Sequence, residues 1–165
     1  MDVKQLDRAQ SAEQIKKFLR SRKSFSRGTD FAPGNLLIYR YKAKFDEEPY
    51  DKRPMVLVLR QSAGYVLGLN FHWIPFAMRI WLVKYILRHN AKNIKAGRKI
   101  DFPYRKIKPL LKKMNYAPCI RLYIKSRISR KGVVLPPGRL VEAAQLRMEM
   151  FTGLPEEQLW QKKRR

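Results

Sequence analysis

Few side chains in this sequence are equipped for catalysis or metal binding. The carboxylates Asp46, Glu47, Glu48 and Asp51 crowd one short stretch. Two or three carboxylates around one ion are what a metal-dependent nuclease requires. This stretch also holds Pro49 and runs to Pro54, so it reads as a turn with solvated charges, and no metal site is expected. The two histidines are His72 and His89. His72, between Phe71 and Trp73, reads as a satisfied core or edge residue. His89-Asn90 reads as a helix C-terminus, where a histidine suits the dipole. The one cysteine, Cys119, excludes an internal disulfide and a cysteine-based zinc site. It suits a reducing compartment. Phosphate-binding glycine loops, serine nucleophile elbows and zinc-ligand spacings are missing from the sequence. The expectation is a protein that is not an enzyme and that needs no metal or cofactor.

The cations are the outstanding feature. The chain carries 37 Lys and Arg against 13 Asp and Glu, a formal net charge of +24. From residue 52 to residue 141 there are 21 basic residues and one acid, Asp101. Such a body repels itself unless a polyanion or counterions screen it, whereas an ordinary solvated surface mixes both signs. A polyanion partner follows, and nucleic acid is the first candidate. The apolar run 74–87 contains Arg79 and Lys84 and is too short to span a bilayer. The first residues form no signal peptide or myristoylation motif, so no membrane partner is expected.

One segment gives these cations a spacing. Around Cys119 to Ile128 polar and apolar residues alternate. This predicts a strand with Ile120, Leu122 and Ile124 facing in and Arg121, Tyr123, Lys125 and Arg127 facing out. Alternate strand residues stand about 6.6–7 Å apart, close to the phosphate spacing of a nucleic-acid strand. Arg130 and Lys131 continue the set through a turn, and Tyr123 offers a flat surface for a sugar or base. Arg40, Lys42 and Lys44 form a second basic strand face, which runs into Asp46, Glu47 and Glu48, so intramolecular ion pairing competes there. Lys92, Lys95, Arg98, Lys99, Arg105, Lys106 and Lys108 read as a basic loop. The aromatics Tyr65, Phe71, Trp73, Phe76 and Trp81 read as core in preference to a stacking platform.

Periodicity places these residues on elements. A basic arm, 1–34, holds a short helix signalled by Ser11 and Gln14. A single domain, 35–153, follows. It opens with an alternating strand from Asn35 to about Phe45, then a hairpin of Met55–Leu59 and residues 65–71 around Gly64. Gly68 signals a bulge or a close backbone approach. A helix spans about 75–89, a short one follows Pro109, and strands run over 119–128 and 133–135. Another helix runs from Pro137 to about Phe151. Residues 154–165 read as a short helix and a basic tail. This predicts an α+β fold: a small bent antiparallel sheet or partial SH3- or OB-like barrel, with an inserted helix and C-terminal helices.

Three stretches carry a resemblance. They are Tyr39-Arg40-Tyr41-Lys42-Ala43-Lys44-Phe45 with Pro49-Tyr50-Asp51-Lys52-Arg53-Pro54, then Leu67-Gly68-Leu69-Asn70-Phe71-His72-Trp73-Ile74-Pro75, then Ile120-Arg121-Leu122-Tyr123-Ile124-Lys125-Ser126-Arg127. Together, over about residues 36–130, they resemble small virion and DNA-end-protector proteins of large contractile-tailed bacteriophages. The resemblance implies a sequence-independent DNA-binding virion protein at the packaged DNA end, near portal or tail, assembled in the host cytoplasm beside other virion proteins. The alternatives are a neck, tail or baseplate structural protein and an RNA- or ribosome-associated protein.

Overall fold

A computed structural model describes residues 30–44, 51–102 and 104–146, the backbone of Ser26–Arg27, and two helical positions, Glu13 and Lys17. The sequence readings on the rest of the arm, on residues 45–50 and on the chain beyond 146 lie outside the described residues.

Six antiparallel strands form one sheet: β1 (Ser26–Arg27), β2 (Leu36–Ile38), β3 (Met55–Gln61), β4 (Tyr65–Asn70), β5 (Ile120–Ile124) and β6 (Val133–Leu135), in the order β1-β6-β2-β3-β4-β5. Between β4 and β5 lie α1 (Phe76–His89), α2 (Ala91–Lys95) and α3 (Tyr104–Lys113), and α4 (Leu140–Gln145) follows β6. The α+β class expected from periodicity is the class observed.

The central strand β3 explains the layering. Its five leading residues are apolar and all are buried. Strand side chains alternate between faces, so Met55, Leu57 and Leu59 join the helix-side core with Leu82, Val83, Ile86, Ile107 and Leu111. Val56 and Val58 enter a second core with Leu37, Tyr39, Val66, Tyr123 and Ile128. The second core lies inside the curl of the sheet. Past the ends of β2 and β5 the chain closes that curl: Tyr41 bridges Ile128, Lys42 N donates to Arg127 O at 3.1 Å, and Ser129 N donates to Arg40 O at 2.9 Å. These bonds tie the chain past β2 to the chain past β5, while the ladder itself is an open sheet with β1 and β5 at its two ends.

Tight packing explains the glycine in β4. A Cβ on Gly68 would stand 2.1 Å from Val56 Cγ1, so the close approach is real. The irregular register lies across from it, on β3 between Val58 and Arg60. Gly34 is the other constrained position: φ is +88° and a Cβ would meet the Ile100 carbonyl oxygen at 1.9 Å. Its N–H donates to Val58 O at 2.8 Å. Asp30 holds the same strap, accepting from Ala32 N at 3.0 Å and Lys99 Nζ at 3.2 Å. The Ala32 amide and then Lys99 hold its carboxyl below the usual range.

Several boundaries differ from the sequence reading. The strand expected from Asn35 to about Phe45 is regular only over Leu36–Ile38. The helix expected from Pro137 to about Phe151 runs from Leu140 to Gln145, where Leu146 turns to extended backbone. The sheet begins within the stretch read as an arm, because β1 pairs with β6. The basic loop contains helix α2. Helix α3 starts at Tyr104, not after Pro109, which sits inside it. An interior proline costs about 3 kcal/mol, but Pro109 is on the exposed side, and Ile107 and Leu111 are fully buried. Burial of two such side chains offsets that cost at about 1.5–3 kcal/mol each.

Gly34→Ala is expected to lower unfolding free energy by about 1–3 kcal/mol, through strain at positive φ and overpacking. Gly64→Ala, with nothing within 4 Å of the added carbon, is expected to change it by less than about 0.5 kcal/mol. Urea midpoints at unchanged slope check both.

Candidate nucleic-acid interface

The two basic segments picked out by the sequence meet at a seam formed by this bridge. The Tyr41–Ile128 bridge lays 40–44 antiparallel to the chain around 127–129. Arg127 Nη1 donates to the Ala43 carbonyl at 2.9 Å and latches the seam across 84 residues of sequence. Along it runs a shallow, open groove of about 360 Å³ lined by Arg40, Tyr41, Lys42, Ser126, Arg127, Ile128 and Ser129. Arg40, Lys42, Lys44, Arg130 and Lys131 are exposed. Among the described residues, no ion pair engages Arg40, Lys42, Arg130 or Lys131. The intramolecular pairing considered for the 40–44 face involves Asp46, Glu47 and Glu48, which lie outside the described residues.

The expected geometry of the 119–128 strand needs correction. It is not a straight two-faced strand. β5 ends at Ile124, and Lys125–Arg127 form a 3₁₀ turn. In and out are also reversed: Leu122 is 60% exposed and Tyr123 only 5%. The cause is the curl. Tyr123 pairs in register with Val66 and points into the inner core, edge-on to Tyr39 at 5.7 Å and Tyr41 at 5.1 Å. Buried there, it is no contact for a sugar or base in the folded protein. Arg121 shares its side of the strand and lays its guanidinium 4.8 Å from the Trp73 ring centroid. Lys125 Nζ donates to Gln61 Oε1 at 3.0 Å and lies 5.5 Å from the Phe31 ring centroid. Arg121, Lys125 and Arg127 are therefore half-buried and engaged, while Arg130 and Lys131 remain exposed.

The carboxylate read as part of a solvated turn is also placed differently. Asp51 is buried and accepts from His72 Nδ1 at 2.6 Å, from Asn70 Nδ2 at 3.4 Å and from Arg53 N at 3.0 Å. Asn70 Oδ1 accepts from His72 N at 2.9 Å. His72 is thus the satisfied core histidine expected. His89 ends α1 as expected, and Cys119 is buried, its thiol donating to Trp73 O at 3.3 Å. Among the described residues no group of three or more His, Cys, Asp or Glu gathers to hold a metal. No described helix is long and apolar enough to cross a membrane.

Two features escaped the sequence reading. One is α3, which gathers Arg105, Lys106, Lys108, Lys112 and Lys113 on an exposed face opposite Ile107 and Leu111. The 3.6-residue period of 104–114 carried that signal, and the proline masked it. The other is that Trp81, Phe76 and Tyr65 are exposed, whereas Phe71 and Trp73 are core as expected.

Comparison with protein-family models, with curated proteins and with solved structures finds no match to this chain.

Burial holds the Tyr123 and Tyr39 hydroxyls far above the usual tyrosine range, with Asp51 and neighbouring tyrosines adding to it. Neutral tyrosine is the form the fold holds, so its contribution is complete below pH 10. It is lost as pH rises above the unfolded value near 10, where the unfolded chain sheds protons that the folded chain keeps. The urea midpoint is expected to fall steeply above pH 10 and to fall less in Tyr39→Phe. At pH 7 that variant is expected to cost less than about 1 kcal/mol, since among the described residues the Tyr39 hydroxyl has no hydrogen-bond partner.

Proposed function

We propose that this chain is a non-enzymatic DNA-binding protein that grips the phosphate backbone without reading base sequence. The observation that carries it is the seam. Two basic segments far apart in sequence are locked side by side by backbone bonds, along a concave groove. Cations held on rigid backbone at fixed spacing meet phosphates with little ordering cost. Arg40, Lys42, Lys44, Arg130 and Lys131 neutralise phosphates, with Arg127 both latching the seam and contributing its charge. Lys125 is taken up by Gln61 and Phe31, and Arg121 by the Trp73 ring. The exposed face of α3 adds sequence-independent attraction. The inward turn of Tyr123 removes a stacking surface from the seam and leaves it phosphate contacts, which suits a duplex backbone; DNA is put before RNA on the likeness to phage proteins. The virion setting, at the packaged DNA end beside other virion proteins, rests on the likeness of the three sequence stretches to phage proteins.

A second function, assembly with other proteins of a phage neck, tail or baseplate, is favoured by one observation. The register puts Tyr65, Leu67, Leu122 and Ile124 on one side of the β4–β5 ladder, where Leu122 and Tyr65 are 60% and 47% exposed. A chain that ignores duplex DNA even at low salt transfers the weight to that function.

Duplex affinity is expected to fall linearly on a log–log plot against salt and to be equal for unrelated sequences. Replacing Lys42, Arg130 and Lys131 with alanine is expected to weaken all sequences alike and to reduce the salt slope by roughly 2–3 units. Fluorescence anisotropy at several salt concentrations measures both. An unchanged slope places the contacts elsewhere.

A further inference from the structure

Trp81, Tyr85 and His89 recur every fourth residue of α1, which sets them in a row on one helix face. The Trp81 and Tyr85 rings are stacked, with centroids 5.3 Å apart and planes 20° from parallel. Tyr85 and His89 follow at 4.0 Å and 38°. Two contacts anchor the row. The buried Phe102 ring meets Tyr85 edge-on at 6.0 Å, and His89 Nδ1 donates to the Tyr85 carbonyl at 2.9 Å. The inner side of α1 is already filled by Leu82, Val83 and Ile86. Trp81 nonetheless remains 43% exposed, a large ring that the core does not use.

The surroundings decide what such a row fits. Lys84 and Arg88 follow Trp81 and Tyr85 by three residues, so they flank the rings along the helix, and Lys92 begins the next turn of chain; all three are exposed. The one acid of residues 52–141, Asp101, lies at the foot of the row, where its amide donates to Asn90 Oδ1 at 2.7 Å. Flat apolar rings edged by cations complement a ligand that alternates aromatic rings with anions. That is a strand of unpaired nucleotides, whose bases stack on aromatic side chains. In a duplex the base faces are hidden, and the row has nothing to receive.

We infer that the Trp81–Tyr85–His89 row binds unpaired nucleotides, with a base on Trp81 and phosphates on Lys84 and Arg88. The protein then favours DNA with a single-stranded segment or open end over blunt duplex. This rests on the DNA-binding function proposed above and assigns it a second, separate contact. The row comes pre-stacked, so receiving a base costs little ordering.

The test uses the full chain and three DNAs: a blunt duplex, the same duplex with an oligo-dT overhang, and oligo-dT alone. The wild type is compared with Trp81→Ala, Trp81→Phe and the Lys42/Arg130/Lys131 alanine variant, with circular dichroism confirming that each is folded. The overhang is expected to bind about tenfold tighter than the blunt end, as one stacked base predicts. Trp81→Ala is expected to erase that ratio while blunt-duplex affinity and salt slope stay unchanged, and Trp81→Phe to keep most of it. The seam variant is expected to weaken all three DNAs and keep the ratio. Duplex binding with no overhang preference, or a preference that survives Trp81→Ala, overturns the inference and leaves the seam standing. A wild type that binds none of the DNAs overturns both.

Discussion

The antiparallel bridge between Tyr41 and Ile128 is the contact on which the arrangement turns. Without it the chain past β2 and the chain past β5 would be two loose basic segments. With it the sheet curls, and the curl encloses a second core of Leu37, Tyr39, Val56, Val58, Val66, Tyr123 and Ile128. The same closure that buries those side chains aligns the cations of the two segments. Fold stability and the candidate surface therefore share one cause: the inner core cannot open without dispersing the charges at its rim. Gly68 belongs to the same constraint, since a side chain there would strike Val56 inside the curl.

A net charge of +24 is a standing repulsion that the packed core must overcome. Among the described residues, few acids neutralise it locally. Asp51, one of the few acids near the basic body, is spent inside, fixing His72 and Asn70 beneath the sheet. The Lys99–Asp30 pair is exposed and worth little in water. Uncompensated charge on a body with two well-filled cores makes sense if a polyanion supplies the missing counter-charge, and binding then also stabilises the fold.

Much of the scaffold was legible in the sequence, because hydrophobic periodicity reports which residues are buried. The hairpin of β3 and β4, the helix from Phe76 to His89 and the short strand Val133–Leu135 stand where the pattern put them. The α+β class follows from their order. The failures have physical reasons. Alternation shows that two faces differ, not which one is inside, and in β5 an aromatic inner core claimed Tyr123 and left Leu122 outside. Pro109 looked like a helix start, but an exposed proline is tolerated when the opposite face buries Ile107 and Leu111. The two basic segments were each visible, but their union was not. It depends on a bridge between residues 41 and 128, and nothing local to either segment encodes that. The row on α1 was hidden for a related reason: Trp81 in an apolar stretch reads as core until the helix is seen packed.

The central claim is that DNA lies along the seam, and lysine footprinting tests it most directly. The chain is acetylated briefly with and without saturating duplex DNA at moderate salt, and each lysine is quantified by mass spectrometry. Selective protection of Lys42, Lys44 and Lys131, with Lys92 and Lys95 on α2 little changed, is the predicted result. Equal reactivity of Lys42 and Lys131 in the free and bound states, with protection confined to the lysines of α3 or spread evenly over the surface, would contradict it.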